Sequence, residues 1–407
     1  MSWKTVTLGD ISSNIQTGPF GSQLHQSDYS EEGTPVVMPK DLVNGHISEA
    51  SIARVSEDHV NRLNRHKIEV GDILYSRRGD VGRCAFATET EEGWLCGTGC
   101  LRVTIDISTA IPKFVFYQLQ KAETVGWVEK HAVGATMLNL NTSILSSVPI
   151  EIPPLAEQQV IVDMLSAYDD LIENNQKQIK LLEEAAQRLY TEWFVDLRFP
   201  GHETTPITDG IPEGWKKDRA DAFFNMSIGK TPPRAEKQWF TDGGNGTPWI
   251  SISDMGNYGT YVFDTAEALT VEAISKHNVK VVPSDTVLVS FKLTVGRVSI
   301  TTTDTCTNEA IAHFLISNSM LREYTYLYLK CFEYDSLGNT SAISKAVNSK
   351  IIKGMPFVMP DNATITQFHK IAKPIFDAIK DKQSMNMKLA EARDRLLPKL
   401  LNGEIEV

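Results

Sequence analysis

The chain lacks several things that would have assigned it to a class at once. Its 407 residues contain five cysteines, Cys84, Cys96, Cys100, Cys306 and Cys331. None forms a Cys-x-x-Cys pair, and the Cys96-x3-Cys100 spacing with His131 elsewhere is not a zinc pattern, so free thiols in a reducing compartment are expected. No apolar run approaches the 18 residues that a membrane span requires. The first residues, Met1-Ser2-Trp3-Lys4-Thr5, lack the apolar core of a secretory signal, so a cytoplasmic location is expected. Catalytic signatures are missing too. Gly229-Lys230-Thr231 looks like the end of a phosphate-binding loop, but that loop needs a glycine where Phe224 stands. Ile152-Pro153-Pro154-Leu155 and Thr231-Pro232-Pro233-Arg234 lack the amide before and the aromatic after the prolines that hold a flipped base in amino-methyltransferases. No Gly-x-Ser-x-Gly or dinucleotide fingerprint occurs. Excess positive charge is missing as well: 40 basic residues face 51 acidic ones, a net charge of −11. For a nucleic-acid partner this is unfavourable on its face. The acidity is uneven, however. Residues 153–200 carry −5, whereas 201–360 carry −2 and 361–407 carry +1, and residues 62–83 hold six Arg/Lys against three acids, a local +3.

What is present is a repeat. Trp3-Lys4 returns as Trp215-Lys216. Gly71-Asp72-Ile73-Leu74-Tyr75-Ser76 and Val81-Gly82-Arg83 return as Ser284-Asp285, Val287-Leu288-Val289-Ser290 and Val295-Gly296-Arg297. Val148-Pro149 through Pro153 returns as Met355-Pro356 through Pro360. Each copy reads as a β-rich stretch followed by a long helix. One framework with two different fillings fits a protein that recognises two different things at a fixed separation.

The helical segments are heptad-like. Ile161, Leu165, Tyr168, Ile172, Asn175, Ile179, Leu182, Ala186, Leu189 and Trp193 follow 4,3 spacing, an a/d seam over more than four heptads. Some 36 residues make a rod of roughly 54 Å. Asn175 is the polar residue in that seam, a type that fixes register at a cost in stability. Asn175→Leu is therefore expected to raise the melting temperature and permit mispairing. In the second copy Thr364-x-x-Gln367 reads as a capping box. Phe368, Ala372, Ile375 and Ile379 form a seam that Met385, Leu389, Ala392 and Leu396 resume at a shifted phase, like a stammer. Trp193 and Phe194 are expected to pack between helices or against a partner; the competing reading is a simple helix-end staple. The two seams are expected to pair with each other. The expected fold class is α+β, with two β-rich recognition domains, related by a pseudo-twofold, and two long antiparallel coiled-coil helices. The expected boundaries are 1–152 and 201–360 for the domains and 153–200 and 361–407 for the helices.

The order of short motifs resembles the specificity subunit of type I restriction–modification enzymes. The first copy has Leu8-Gly9-Asp10-Ile11, Thr17-Gly18-Pro19-Phe20-Gly21-Ser22, Gly71-Asp72-Ile73-Leu74, Gly79-Asp80-Val81-Gly82, Glu157-Gln158-Gln159 and Leu189 through Asp196. The chain closes on Leu397-Pro398-Lys399-Leu400-Leu401-Asn402-Gly403. Individually these are weak; duplicated, in order and across nearly the whole chain, they are specific. The second copy departs where Gly-Pro-Phe-Gly-Ser becomes Ile228-Gly229-Lys230-Thr231-Pro232. The resemblance implies a non-catalytic subunit that binds a bipartite double-stranded DNA target, each domain reading one element. It implies helices that act as ruler and docking platform for two modification (methyltransferase) subunits, with restriction subunits joining them. S-adenosylmethionine, ATP and Mg would be bound in those partners, none by this chain, and no membrane is involved.

Loops on a β scaffold are expected to carry readout. Arg77 and Arg78 follow a buried strand at a loop tip; the competing reading is surface salt bridging, since most basic contacts go to phosphates. Lys292 matches that loop in the second copy. Arg83 and Arg297 are equivalent and suit a shared task, backbone contact or loop support. Gly18–Gln23 and Gly229–Arg234 supply Gln23, Lys230 and Arg234; Lys40 and Asn44 lie near a turn. The competing functional readings are an enzyme with a divergent methyltransferase or nuclease site, and a coiled-coil scaffold that binds only proteins.

Overall fold

The structure, a computed structural model, describes residues 3–134, 137–337 and 347–405. The chain packs as two units: Met1–Asp170 with Leu389–Val407, and Leu171–Lys388. Each holds one β-rich half and the stretches of both long helices that cover it.

In the first unit the strand Lys4–Thr7 pairs antiparallel with Pro149–Ile152, tying the start of the β half to its end. Pro153 and Pro154 then end the strand, because proline brings no ladder N–H, and the first long helix, Leu155–Tyr190, begins. The central sheet runs Ser12–Thr17, Cys100–Ile105, Ile73–Ser76, Cys84–Phe86, all antiparallel. Ile73–Ser76 is buried along its whole length, as a continuous apolar run demands. A second four-stranded sheet is built around Thr34–Val37.

The second unit repeats this plan with one strand added to the central sheet. Lys216–Arg219 pairs with Pro356–Met359. Its central sheet runs Asn225–Ile228, Ile311–Leu315, Val287–Ser290, Val298–Thr301, with Tyr261–Val262 added in parallel. The registers coincide. Leu101 faces Thr17 as Ala312 faces Ile228, and Cys100 faces Ser76 as Ile311 faces Ser290. Both units also fasten the head of a long helix the same way. The Trp3 indole N–H donates to Glu157 Oε1 at 3.1 Å, and the Trp215 indole N–H to Asp361 Oδ2 at 3.1 Å.

The second long helix, Asn362–Leu401, is unbroken over 40 residues. Within the second unit it runs antiparallel to the first: Asn175 meets Asn386, while Trp193 meets Phe368 with ring centroids 5.7 Å apart. Phe194 packs on Phe368, Tyr324 and Trp215, so these aromatics lie between helices and β half. Ile179, Leu182, Leu189, Ile375 and Ile379 join the same core. Ile172 is half-buried. In the first unit Ile161 and Leu165 share a core with Leu400 and Leu401, with Leu396 packed against it and Leu389 half-buried.

Three sequence expectations need correction. The second helix has no stammer. Ile365, Ala372, Ile379, Asn386, Arg393 and Leu400 keep a strict seven-residue repeat, and Met385 is 52% exposed. Apolar residues alone misled the reading, because two seam positions are polar. Asn175 Nδ2 donates to Asn386 Oδ1 at 2.9 Å, and Arg393 Nη1 to Asp169 Oδ1 at 2.8 Å. Asn175 is therefore paired, and a leucine there would remove a hydrogen bond along with the polar group. Third, Asp361, not Thr364, caps the helix: its Oδ1 accepts from the N–H of Ala363 and of Thr364. Burial alone would raise the Asp361 pKa, but its hydrogen bonds from Thr364, Ala363 and Trp215 outweigh that and hold it below the usual value.

Candidate nucleic-acid interface

In each unit the central sheet brings two of the sequence-expected loops together. In the first, the loop after Ile73–Ser76 is closed by Ser76 N–H donating to Arg83 O at 2.8 Å and Ser76 Oγ donating to Arg78 O at 3.1 Å. Arg77 N–H donates to Gly99 O at 2.8 Å, which fixes the loop against the 97–99 turn. The Arg77 guanidinium lies 5.5 Å from the ring of Phe20, a side chain left 51% exposed. That contact joins the 18–23 loop to the 77–82 loop. Thr98 Oγ1 donates to Pro19 O at 2.8 Å from below. Gly18 is required here: a Cβ would stand 2.0 Å from Gly97 O.

The second unit uses the same frame. Phe291 N–H donates to Ala310 O, Ser290 N–H to Arg297 O, and Gly229 would place a Cβ 2.1 Å from Asn308 O. Its filling differs. Thr231 Oγ1 donates to Glu309. Burial raises the Glu309 pKa, but that hydrogen bond, a backbone bond and the nearby charges of Lys292 and Arg234 win, so it is held low. Lys292 and Arg234 therefore flank one carboxylate. Behind them His313 is fully buried, within 2.7 Å of Ser227 Oγ and of Thr307 Oγ1. Burial, then Lys353, push its pKa down to about 4, so it stays neutral.

The expected contact residues differ in how free they are. Arg78 is exposed, and no described residue pairs with its guanidinium; Lys292 and Lys230 are exposed too. Arg77 Nε is buried without a hydrogen-bond partner. Arg234 is committed to Glu267 at 2.7 Å and lies 4.3 Å over Phe240 and 4.5 Å over Trp249. Arg83 is bound to Asp80 at 2.8 Å. Its counterpart Arg297 reaches Ile252 O at 2.6 Å and lies against Gly256. This pair supports its loops through different partners. Gln23 accepts from Phe20 N–H, closing its own turn, and Lys40 donates to Ser51 and pairs with Asp41 at 3.2 Å. Asn44 takes a positive φ of 50° in a turn. The local +3 of residues 62–83 is dispersed: Arg62 bonds Gln23 O and Arg65 bonds His66. Sequence reading passed over Phe20 and Glu309.

Among the described residues no cluster of His, Cys, Asp or Glu has the makings of a metal site. Burial pushes the thiols of Cys84, Cys96 and Cys306 up to about 12, which makes them poor nucleophiles. No helix among the described residues is long and apolar enough to cross a membrane.

Comparison with known proteins gives a consistent result. The family model described as type I restriction modification DNA specificity domain matches twice, over residues 1–184 and 212–389. The HindI specificity subunit of Haemophilus influenzae is 25% identical and covers 99% of both chains. The MjaIX specificity subunit of Methanocaldococcus jannaschii is 26% identical, over 92% of this chain and 87% of that one. Among solved structures, the type I restriction–modification S subunit of M. genitalium superposes with a TM-score of 0.58 at 16% identity, over 98% and 96% of the two chains, a likeness of fold.

Proposed function

This chain belongs to the type I restriction–modification DNA specificity family, and from that membership we propose that it reads a bipartite double-stranded DNA target, one element per β-rich half. It recognises DNA and assembles with the other subunits of such a system, which carry the catalysis. In our reading two methyltransferase subunits dock on the paired long helices, which also set the spacing, and restriction subunits join them. S-adenosylmethionine, ATP and Mg are then bound in the partners.

The observation that carries the reading is a frame shared by the two units with different tips. Two sheets share strand order and register. Yet the loops at one end present Phe20, Arg77 and Arg78 in the first unit and Thr231, Lys292 and Glu309 in the second. Identical scaffolds with different tips suit two different sequences, because base edges are read by individual side chains while backbone contacts only position them. Arg77 and Arg78 are the principal contacts of the first unit, and Lys292 with Lys230 those of the second. The net charge of −11 is compatible with this, because local cations set the contact and the acidic helix surface is left for protein partners.

A gel shift with the purified chain, its modification subunit and a random-sequence DNA pool tests it. Enrichment of one two-part sequence is expected. S-adenosylmethionine binding by the isolated chain would move the enzyme reading ahead.

A further inference from the structure

Leu293 stands at the tip of the hairpin formed by Val287–Ser290 and Val298–Thr301, and it is 94% exposed. It belongs to none of the hydrophobic clusters. It also adopts a positive φ of 60°, a left-handed conformation that is costly for a branched apolar residue. Strand registers give its counterpart. Ser76 aligns with Ser290 and Tyr75–Cys84 with Val289–Val298, so position 293 corresponds to Gly79. Gly79 has a φ of 77°, where glycine bears no such cost. A Cβ at Gly79 would meet nothing within 4 Å, so this position does not ask for a side chain to fill space.

Two unfavourable features, strain and full exposure, thus coincide on one residue. The fold explains neither. The loop is nevertheless tightly built: Ser290 Oγ donates to Thr294 O at 2.5 Å, Gly296 N–H to Ser290 O at 2.9 Å, and Arg297 N–H to Ser290 Oγ at 3.0 Å. Lys292 is adjacent, ready to reach a phosphate. A two-stranded β hairpin fits the DNA major groove, where thymine alone displays a methyl group.

Resting on the DNA-reading function proposed above, we infer that Leu293 determines specificity in the second unit by apolar contact with the 5-methyl group of a thymine. The first unit, with Gly79 at that place, reads its element without this contact.

The test uses the full chain with its modification subunit and duplexes carrying the two-part target. Each thymine of the second element is replaced in turn by deoxyuridine, which removes only the methyl. One replacement weakens wild-type binding about 4-fold, the value of one buried methyl. Leu293→Gly and Leu293→Asn, both compatible with a left-handed backbone, are insensitive to that same replacement and melt no lower than wild type. Wild-type binding indifferent to every replacement overturns the inference, as does a variant that keeps the sensitivity or a melting temperature lowered by about 5 °C. Absence of any two-part target for the wild-type chain overturns the DNA-reading function instead.

Discussion

The Asn175–Asn386 pair allows a sharp test of how the helices hold register. Asn175 is 6% exposed, and its amide donates to Asn386 Oδ1 at 2.9 Å. Asn386 is half-buried and keeps a second bond, donating to Ile172 O at 3.3 Å. The two single leucine substitutions are therefore not equivalent. Asn386→Leu leaves the buried Asn175 amide unsatisfied and costs about 1–3 kcal/mol. Asn175→Leu leaves an Asn386 that water and Ile172 can still serve, while a leucine gains burial of up to about 1.5–3 kcal/mol. It falls within about 1 kcal/mol of wild type. Replacing both removes the polar cost and stabilises the unit, as exchanging buried polar groups for packed apolar ones often does. For a unit of this size about 1 kcal/mol moves the melting temperature by about 2–4 °C. Calorimetric unfolding of the full chain and the three variants gives the cycle. The coupling is expected near 2 kcal/mol, far above the roughly 0.5 kcal/mol within which independent sites add. Simple additivity would refute the pairing and the seven-residue phase deduced from it.

Three further outcomes follow from the same contacts. Arg77→Ala with Arg78→Ala is expected to lower affinity for the first element at least 10-fold while leaving preference in the second intact, measured by competition binding; undiminished affinity would remove that loop from the interface. His313 has a folded pKa of about 4 against about 6.5 unfolded. The unfolded chain thus takes up a proton first, so stability is present above pH 6.5 and is lost as pH falls toward 4. At pH 5 the loss from this residue is about 2 kcal/mol, and unfolding curves from pH 7 to 5 read it, with a flatter slope in His313→Gln. Asp361→Ala removes a helix cap and the Trp215 bond, costing about 1–2 kcal/mol. A denaturant titration followed by circular dichroism that showed no change would contradict the capping role.

The duplication was legible from its recurring short motifs, and the β-rich halves and the first seam from apolar periodicity, which burial enforces directly. Ile161 through Trp193 needed only spacing. The second seam was misread where Asn386 and Arg393 occupy seam positions, since a polar residue in a seam is visible only once its partner across the interface is known. The cap at Asp361 was displaced to Thr364 for a related reason: Thr364 fits a capping pattern, but the competition among Asp361, Thr364 and Trp215 is tertiary. At the candidate interface, sequence picked out loops that the central sheets bring together. It did not separate Arg78, whose guanidinium has no partner among the described residues, from Arg83 and Arg234, whose carboxylate partners Asp80 and Glu267 are fixed by loop geometry. Leu293 had a signal, a leucine where the repeat offers Gly79, but its exposure and left-handed backbone are visible only in the structure.

The central claim is that one scaffold used twice, with different tips, reads two DNA elements for a methyltransferase. Mapping methylated adenines across the host genome, with and without this gene, tests it most directly. The account predicts a two-part motif separated by unspecified bases that disappears when the gene is removed. A methylation pattern identical in both strains, in a host whose modification subunit is expressed, would contradict it.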